Sequence, residues 1–246
     1  MTVIEICLDD LAGVRRAEEA GADRIELCAA LATGGLTPSI GTVSRALALA
    51  TRVGVHVLIR QRPGDFVFDD EELAAMIADI RAFLDLDRPA AVALGFVVGA
   101  LRPDGTVDVE ATRALVDACG DAPVTFHKAF DQTPDRAAAL EELIALGIGR
   151  VLTSGGAATA PEGAVQLATL VEQAGDRIAV LAGGGVRPGN VADLVRRTGV
   201  REVHLRAAEQ APSASHVRSG YDDGHREVTS SAVVAAVAEA ARGVAA

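Results

Sequence analysis

The chain has 246 residues, half of them hydrophobic, with 3% aromatic content, no Trp and a formal charge of −11. That charge argues against non-specific binding to nucleic acid or to an anionic membrane, since both need a basic surface to displace counterions, and the length is enough for one large core packed by Ala, Val, Leu and Ile. No N-terminal stretch has the order of a signal peptide and no apolar run has the length of a membrane span, so a freely soluble, cytoplasmic protein is expected, and its three cysteines read as thiols or ligands rather than as a disulfide framework.

In chain order, the first strand is expected over residues 3–7, Val3-Ile-Glu-Ile-Cys7, and is followed by a helix over 10–20. The second, over 24–28, repeats the phrase as Arg24-Ile-Glu-Leu-Cys28 before a helix over 39–51. Further strands are expected at 55–60, 91–97, 124–128, 150–153, 178–182 and 202–205, with amphipathic helices at 69–86, 109–118, 134–146, 161–174 and 188–197. A long polar loop over 206–228, holding Tyr221 and His225, precedes a last helix over 230–242 and reads as a lid or an oligomer contact. Eight strands, each followed by a helix and without a Pro/Ser-rich linker, predict an α/β fold: a single-domain TIM (β/α)8 barrel over 1–246. Gly21, Gly147 and Gly199 each stand just before a strand, as a left-handed helix end does. An open doubly wound sheet needs a glycine fingerprint after its first strand; Leu8-Asp-Asp-Leu-Ala-Gly13 lacks one, so no nucleotide cofactor is expected.

Alternation then assigns the faces. Helices cover the outside of a barrel, so Ile4, Ile6, Ile25, Leu27, Val55, Val57, Ile59, Val124, Phe126, Val203 and Leu205 face outward. The other parity sends Glu5, Cys7, Arg24, Glu26, Cys28, His56, Arg60, Thr125, His127, Glu202, His204 and Arg206 inward, an interior rich in charge. Barrel enzymes work at the C-terminal mouth of the strands, so Cys7, Cys28, Arg60, His127, His204 and Arg206 weigh towards function, whereas Arg24 and Glu202 weigh towards an ion-pair network that fills the bottom. By the same alternation Lys128 points outward.

The loops at the mouth add an anion-binding reading. Gly34-Gly-Leu-Thr-Pro-Ser39 allows close backbone approach, and the turn 60–66 brings together Arg60 and Arg62, whose guanidiniums suit phosphate or carboxylate. Thr153-Ser-Gly-Gly156 and Gly183-Gly-Gly-Val-Arg187 stand where barrels hold phosphate on backbone N–H groups, so Ser154, Gly155, Gly184, Gly185 and His204 join the candidate ligand-binding set. Glu26 and His127 form a candidate acid–base pair acting on a small anionic or phosphorylated substrate. Cys7 and Cys28 end neighbouring strands, which lie about 4.8 Å apart, with matching parity; two thiolates suit Cu(I), a soft ion that accepts few ligands. Both also fit the commoner fate of small buried hydrophobes. A divalent-metal site built from the three histidines His56, His127 and His204 and a Glu lacks a recognisable ligand spacing.

These phrases together, with Gly-Ala-Asp-Arg-Ile-Glu-Leu-Cys at 21–28, Gly-Gly-Leu-Thr-Pro-Ser at 34–39, the Arg-x-Arg-x-Gly-Asp-Phe turn at 60–66, Thr125-Phe-His-Lys-Ala-Phe-Asp131, Arg150-Val-Leu-Thr-Ser-Gly155 and Glu202-Val-His204, resemble the CutC copper homeostasis family from residue 3 to about 206. The resemblance implies a cytoplasmic TIM barrel, usually a homo-oligomer (dimer or tetramer), associated with copper tolerance and binding Cu(I) through cysteine, here Cys7 and Cys28 with help from His127. The chain departs from the pattern after His204, where Leu205-Arg206 replaces small residues and Arg206 stands at the mouth. The alternative is a TIM-barrel enzyme of unassigned reaction using the Glu26–His127 pair.

Overall fold

A computed structural model describes residues 1–215, 217, 220, 222 and 224–244. Its strands are β1 (Val3–Leu8), β2 (Arg24–Leu27), β3 (Gly54–Leu58), β4 (Leu94–Val98), β5 (Val124–Phe126), β6 (Arg150–Thr153), β7 (Ala179–Gly183) and β8 (Glu202–Leu205). They pair in sequence order, all in parallel, and β8 returns to β1, so the sheet closes into a barrel. Helices α1 (Leu11–Glu19), α2 (Ile40–Leu49), α3 (Asp70–Leu84), α4 (Val109–Cys119), α5 (Arg136–Ala145), α6 (Ala164–Ala174), α7 (Val191–Thr198) and α8 (Ser231–Arg242) form the outer layer of this TIM barrel.

Helices α2, α3, α4 and α5 start where a side chain supplies an acceptor for their free N–H groups. Ser39, Asp108 and Asp135 accept from Thr42, Ala111 and Ala138, and Asp69 and Glu72 form a reciprocal capping box on α3. Gly21, Gly147 and Gly199 have φ of +102°, +77° and +71°, as expected of residues that end a helix and turn the chain into the next strand.

The outward parity set forms the core between barrel and helices. Ile4, Ile6, Ile25, Leu27, Val55, Val57, Phe126 and Val203 are all at 0% exposure. Burial of each such side chain is worth roughly 1.5–3 kcal/mol, and together they fix which face of each strand looks inward. The opposite face carries Glu5, Arg24, Glu26, His56, Thr125, His127 and His204, every one buried.

Three features differ from the sequence expectation. The fourth strand begins at Leu94 rather than 91, because residues 89–93 form a turn after α3. The fifth stops at Phe126, where His127 caps a 3-10 segment over Lys128–Gln132, so strand alternation no longer governs Lys128. The segment expected as a loop over 206–228 instead forms, with Thr229, an antiparallel hairpin, β9 (Ala208–Pro212) with β10 (His225–Thr229), which packs against α1. Its strand Ala208-Glu-Gln-Ala-Pro212 has no apolar alternation that would have marked it. Tyr221 lies outside the described residues.

Candidate functional site

Register decides which inward side chains meet. Glu5 pairs with Arg24 on β2 and with His204 on β8, whereas Cys7 pairs with Glu26, which pairs with His56. Cys28 stands two residues beyond Glu26 and is diagonal to Cys7 rather than opposite it. Glycines on the neighbouring strands make room for the imidazoles: a Cβ on Gly95 would lie 2.6 Å from His56 Nε2, and one on Gly99 would overlap the His127 ring.

At the bottom of the barrel the charges close on one another. Arg24 donates to Glu5 and, at 2.6 Å, to Glu202, which also accepts from Arg150 Nε at 2.5 Å; Arg150 continues to Thr125 at 3.2 Å. This is the ion-pair network expected of Arg24 and Glu202, and removing any one partner would leave an uncompensated buried charge.

One step higher, Glu5 Oε1 lies 2.7 Å from His204 Nδ1, and His204 Nε2 lies 3.8 Å from Glu26 Oε2. One donor atom each of Cys7, Glu26 and His204 falls within 4.8 Å of the other two. Cys28 stands just outside that triangle, its Sγ 3.7 Å from Glu26 Oε2, against an apolar wall of Leu58, Val97 and Leu31. Burial disfavours charge on Glu5, yet Arg24, His204 and His56 outweigh it and hold the carboxyl well below the usual range. Burial also opposes charge on His204, but Cys7, Glu5 and Glu26 around it raise its pKa well above 6.5. Glu26 is pushed upward by burial, with the nearby Glu5 adding to it against the pull of His204. The Cys28 thiol is pushed up by burial, Glu26 and Cys7.

The remaining candidates are spread round the rim. His127 Nδ1 accepts from the Ala129 N–H at 3.2 Å, its ring lies 4.7 Å from that of Phe66, and its buried Nε2 has no partner among the described residues. Burial and the nearby Arg60 lower its pKa to about 3. His127 thus faces Ala129 and Phe66 while Glu26 lies by Cys28 and His204, and among the described residues no hydrogen bond joins Glu26 and His127 as a pair.

Many of the proposed anion-binding groups have partners of their own. Arg60 donates to the carbonyls of Gly35 and Gly64, and Arg62 to Glu72, Asp65 and Val67. In the loop after β6 the Asp131 carboxylate accepts from Ser154 N, Ser154 Oγ, Gly156 N and Thr153 Oγ1, while Gly155 N donates to Thr153 Oγ1. The carbonyl of Gly184 accepts from Ala160 N at 2.8 Å and that of Gly185 from Asn190 Nδ2 at 2.9 Å. Lys128, contrary to the outward expectation, turns to the mouth and reaches Ser154 Oγ at 3.0 Å and Asp131 at 3.1 Å. Arg206 pairs with Glu227 of the hairpin. Asp131 escaped the sequence reading: a Thr-Ser-Gly-Gly turn looks the same whether its N–H groups await a phosphate or a carboxylate from the preceding loop.

Three comparisons bear on this architecture. The model of the CutC family matches residues 2–209. A CutC family protein from Mesorhizobium japonicum is 45% identical over 98% of this chain and 95% of its own length, and one from Chromobacterium violaceum is 43% identical over 97% of each. The crystal structure of the candidate copper homeostasis protein CutC from Streptococcus agalactiae superposes with a TM-score of 0.76 at 36% identity, covering 83% of this chain and 98% of that one. Phosphoribosyl anthranilate isomerase from Thermococcus kodakaraensis, with a TM-score of 0.59 at 15% identity, shares the fold alone. With the barrel, the paired Glu-x-Cys strands and relatives that span nearly its whole length in agreement, this chain belongs to the CutC family.

Proposed function

We propose that this protein serves copper homeostasis in the cytoplasm by holding Cu(I) at the C-terminal mouth of its barrel. The observation that carries the reading is the convergence of Cys7 and His204 at one buried point, with Cys28 beside it. The donor set fits the ion. Cu(I) favours soft sulfur and imidazole nitrogen and needs only two or three ligands, and Cys7, His204 and Cys28 supply these without a hard oxygen donor. Glu26, whose carboxyl is pushed towards its neutral form, serves better as a hydrogen-bonding neighbour than as an obligatory ligand. His204 is oriented by Glu5 through its other nitrogen, as metal-ligating imidazoles commonly are. In contrast, the Arg62 turn and the Thr153–Gly156 loop are engaged by their own chain, which favours a metal over a small anion as cargo. The reading includes self-association into a dimer or tetramer.

Anaerobic titration with Cu(I) against a competing chelator tests it. Cys7→Ser is expected to weaken binding most and Cys28→Ser less, because Cys28 stands outside the donor triangle. Unchanged affinity in the Cys7→Ser/Cys28→Ser double variant would overturn the reading.

A further inference from the structure

Lys128 is the chain's single lysine: of 23 basic residues the other 22 are arginine, and arginine makes the ion pairs of the barrel floor, the hairpin and the helices. A guanidinium would pair with Asp131 as well, and bidentately, so charge alone does not call for an amine at this one position. What lysine adds is a nitrogen that can lose its proton and bond to carbon. The place fits that use. The 3-10 turn after β5 brings the side chain to the C-terminal mouth, where Nζ donates to Ser154 Oγ at 3.0 Å and pairs with Asp131 Oδ2 at 3.1 Å. Gly184 leaves it room, since a Cβ there would lie 3.0 Å from Nζ. The Lys128 side chain is 40% exposed, so a small molecule reaches the nitrogen from solvent and needs no closed cavity. Asp131 does not depend on Lys128 for its hydrogen bonds, because Thr153 Oγ1, Ser154 N, Ser154 Oγ and Gly156 N all donate to it. The amine can therefore react without stranding a buried carboxylate.

We infer that Lys128 condenses with a small carbonyl compound, an aldehyde or 2-oxo acid, to form a protonated imine held against Asp131. The lysine ammonium gives one proton to water, and Nζ attacks the carbonyl carbon. The C–N bond forms as the C=O π pair moves to oxygen, and a proton passing from nitrogen to that oxygen gives the carbinolamine. Its hydroxyl takes up a proton from solvent and departs as water while the nitrogen lone pair closes the C=N bond. One carbonyl and one ammonium thus become one iminium and one water, with no change of charge and no oxidant, reductant or metal consumed. The site suits the product. An ammonium brings three N–H groups to two acceptors, Ser154 and Asp131, whereas the iminium brings one and keeps its charge opposite Asp131. This reading does not rest on the copper one, since among the described residues no hydrogen bond or ion pair joins Lys128 to Cys7, Cys28 or His204.

The test uses the full chain with a free α-amine, glyoxylate, which is both an aldehyde and a 2-oxo acid, and sodium cyanoborohydride at pH 7. The hydride fixes each imine as a carboxymethyl amine, and peptide mapping gives the ratio of adduct on Lys128 to adduct on the α-amine of Met1, the chain's only other aliphatic amine. In urea an ordinary lysine trails an α-amine, because its neutral fraction at pH 7 is roughly 10²–10³-fold smaller. Folding is expected to raise the ratio about fivefold over its value in urea, the worth of one better-matched hydrogen bond. A purely structural ion pair has the opposite sign: it holds the ammonium and shields the nitrogen, so a ratio unchanged or lowered by folding overturns the proposal. Asp131→Asn should cancel the rise, and a full rise in the folded variant also overturns the proposal. Should that variant fail to fold, the wild-type ratio decides alone. The ratio is read without metal, so failure of the Cu(I) titration would refute the copper reading only, and Cu(I) binding with no rise in the ratio would refute the imine only.

Discussion

The two ends of the barrel interior are built by the same parity on the same strands, yet they differ in how completely their polar groups are satisfied. At the bottom, Arg24, Arg150, Glu5 and Glu202 answer one another charge for charge. Towards the mouth, His127 Nε2 and Arg60 Nε are buried without a partner among the described residues, and Cys7, Glu26 and His204 crowd one point. A closed network gives a fixed floor, whereas unsatisfied groups held in place at the open end are what a ligand can complete. Cost and use are separated along the barrel axis.

Acid should expose the contrast with the largest effect. His56 and His127 have folded pKa values near 3, below their unfolded value of 6.5, so the unfolded chain binds their protons first. Stability is therefore expected to fall as pH drops from about 6.5 towards 3, by up to about 1.4 kcal/mol per pH unit for each imidazole. Glu5, held below its unfolded value of 4.5, is stabilising above that pH and begins to add its own loss only beneath it. The contribution of His204, whose pKa is raised, is already complete below 6.5 and stays constant in this window. Urea unfolding from pH 7 to 4 checks this; a flat profile between 6.5 and 4.5 would break the comparison.

Arg24→Met strikes the floor directly. It leaves Glu5 and Glu202 without their shared cation and should cost roughly 3–5 kcal/mol in the same unfolding measurement. Gly99→Ala strikes the mouth, because the added methyl overlaps His127; an overpacking cost of about 1–3 kcal/mol is expected, with a shift in the His127 ring resonances as a second readout. The smallest effect belongs to Glu26→Gln, an isosteric change at a carboxyl pushed towards its neutral form, which should cost less than about 1 kcal/mol. A Glu26→Gln loss as large as that of Arg24→Met would mean that the mouth is a closed network too.

Much of this was legible beforehand because period-two alternation is a local property. Val3-Ile-Glu-Ile-Cys7 places Ile4 and Ile6 against the helices and Glu5 and Cys7 inside, whatever the neighbouring strands do. The glycines before β2, β6 and β8 were likewise readable, since a turn depends on a few consecutive residues. The structural role of Arg24 and Glu202 also followed, from their place at the starts of strands.

What the alternation could not supply was register. Two Glu-x-Cys phrases looked like a matched pair of thiols, but the stagger between β1 and β2 sets Cys7 against Glu26 and gives the sulfur a histidine from β8 as its closer companion. Lys128 turned inward because hydrogen bonding ends β5 at Phe126, and Asp131 filled a loop that belongs to the next strand. By itself, then, the sequence determined the family, the barrel and the inward set of each strand, all of which rest on local pattern and backbone preference. Only the tertiary structure decided which inward groups meet, because strand stagger and the closure of β8 on β1 bring together residues 199 positions apart, such as Glu5 and His204, and no local pattern encodes that distance.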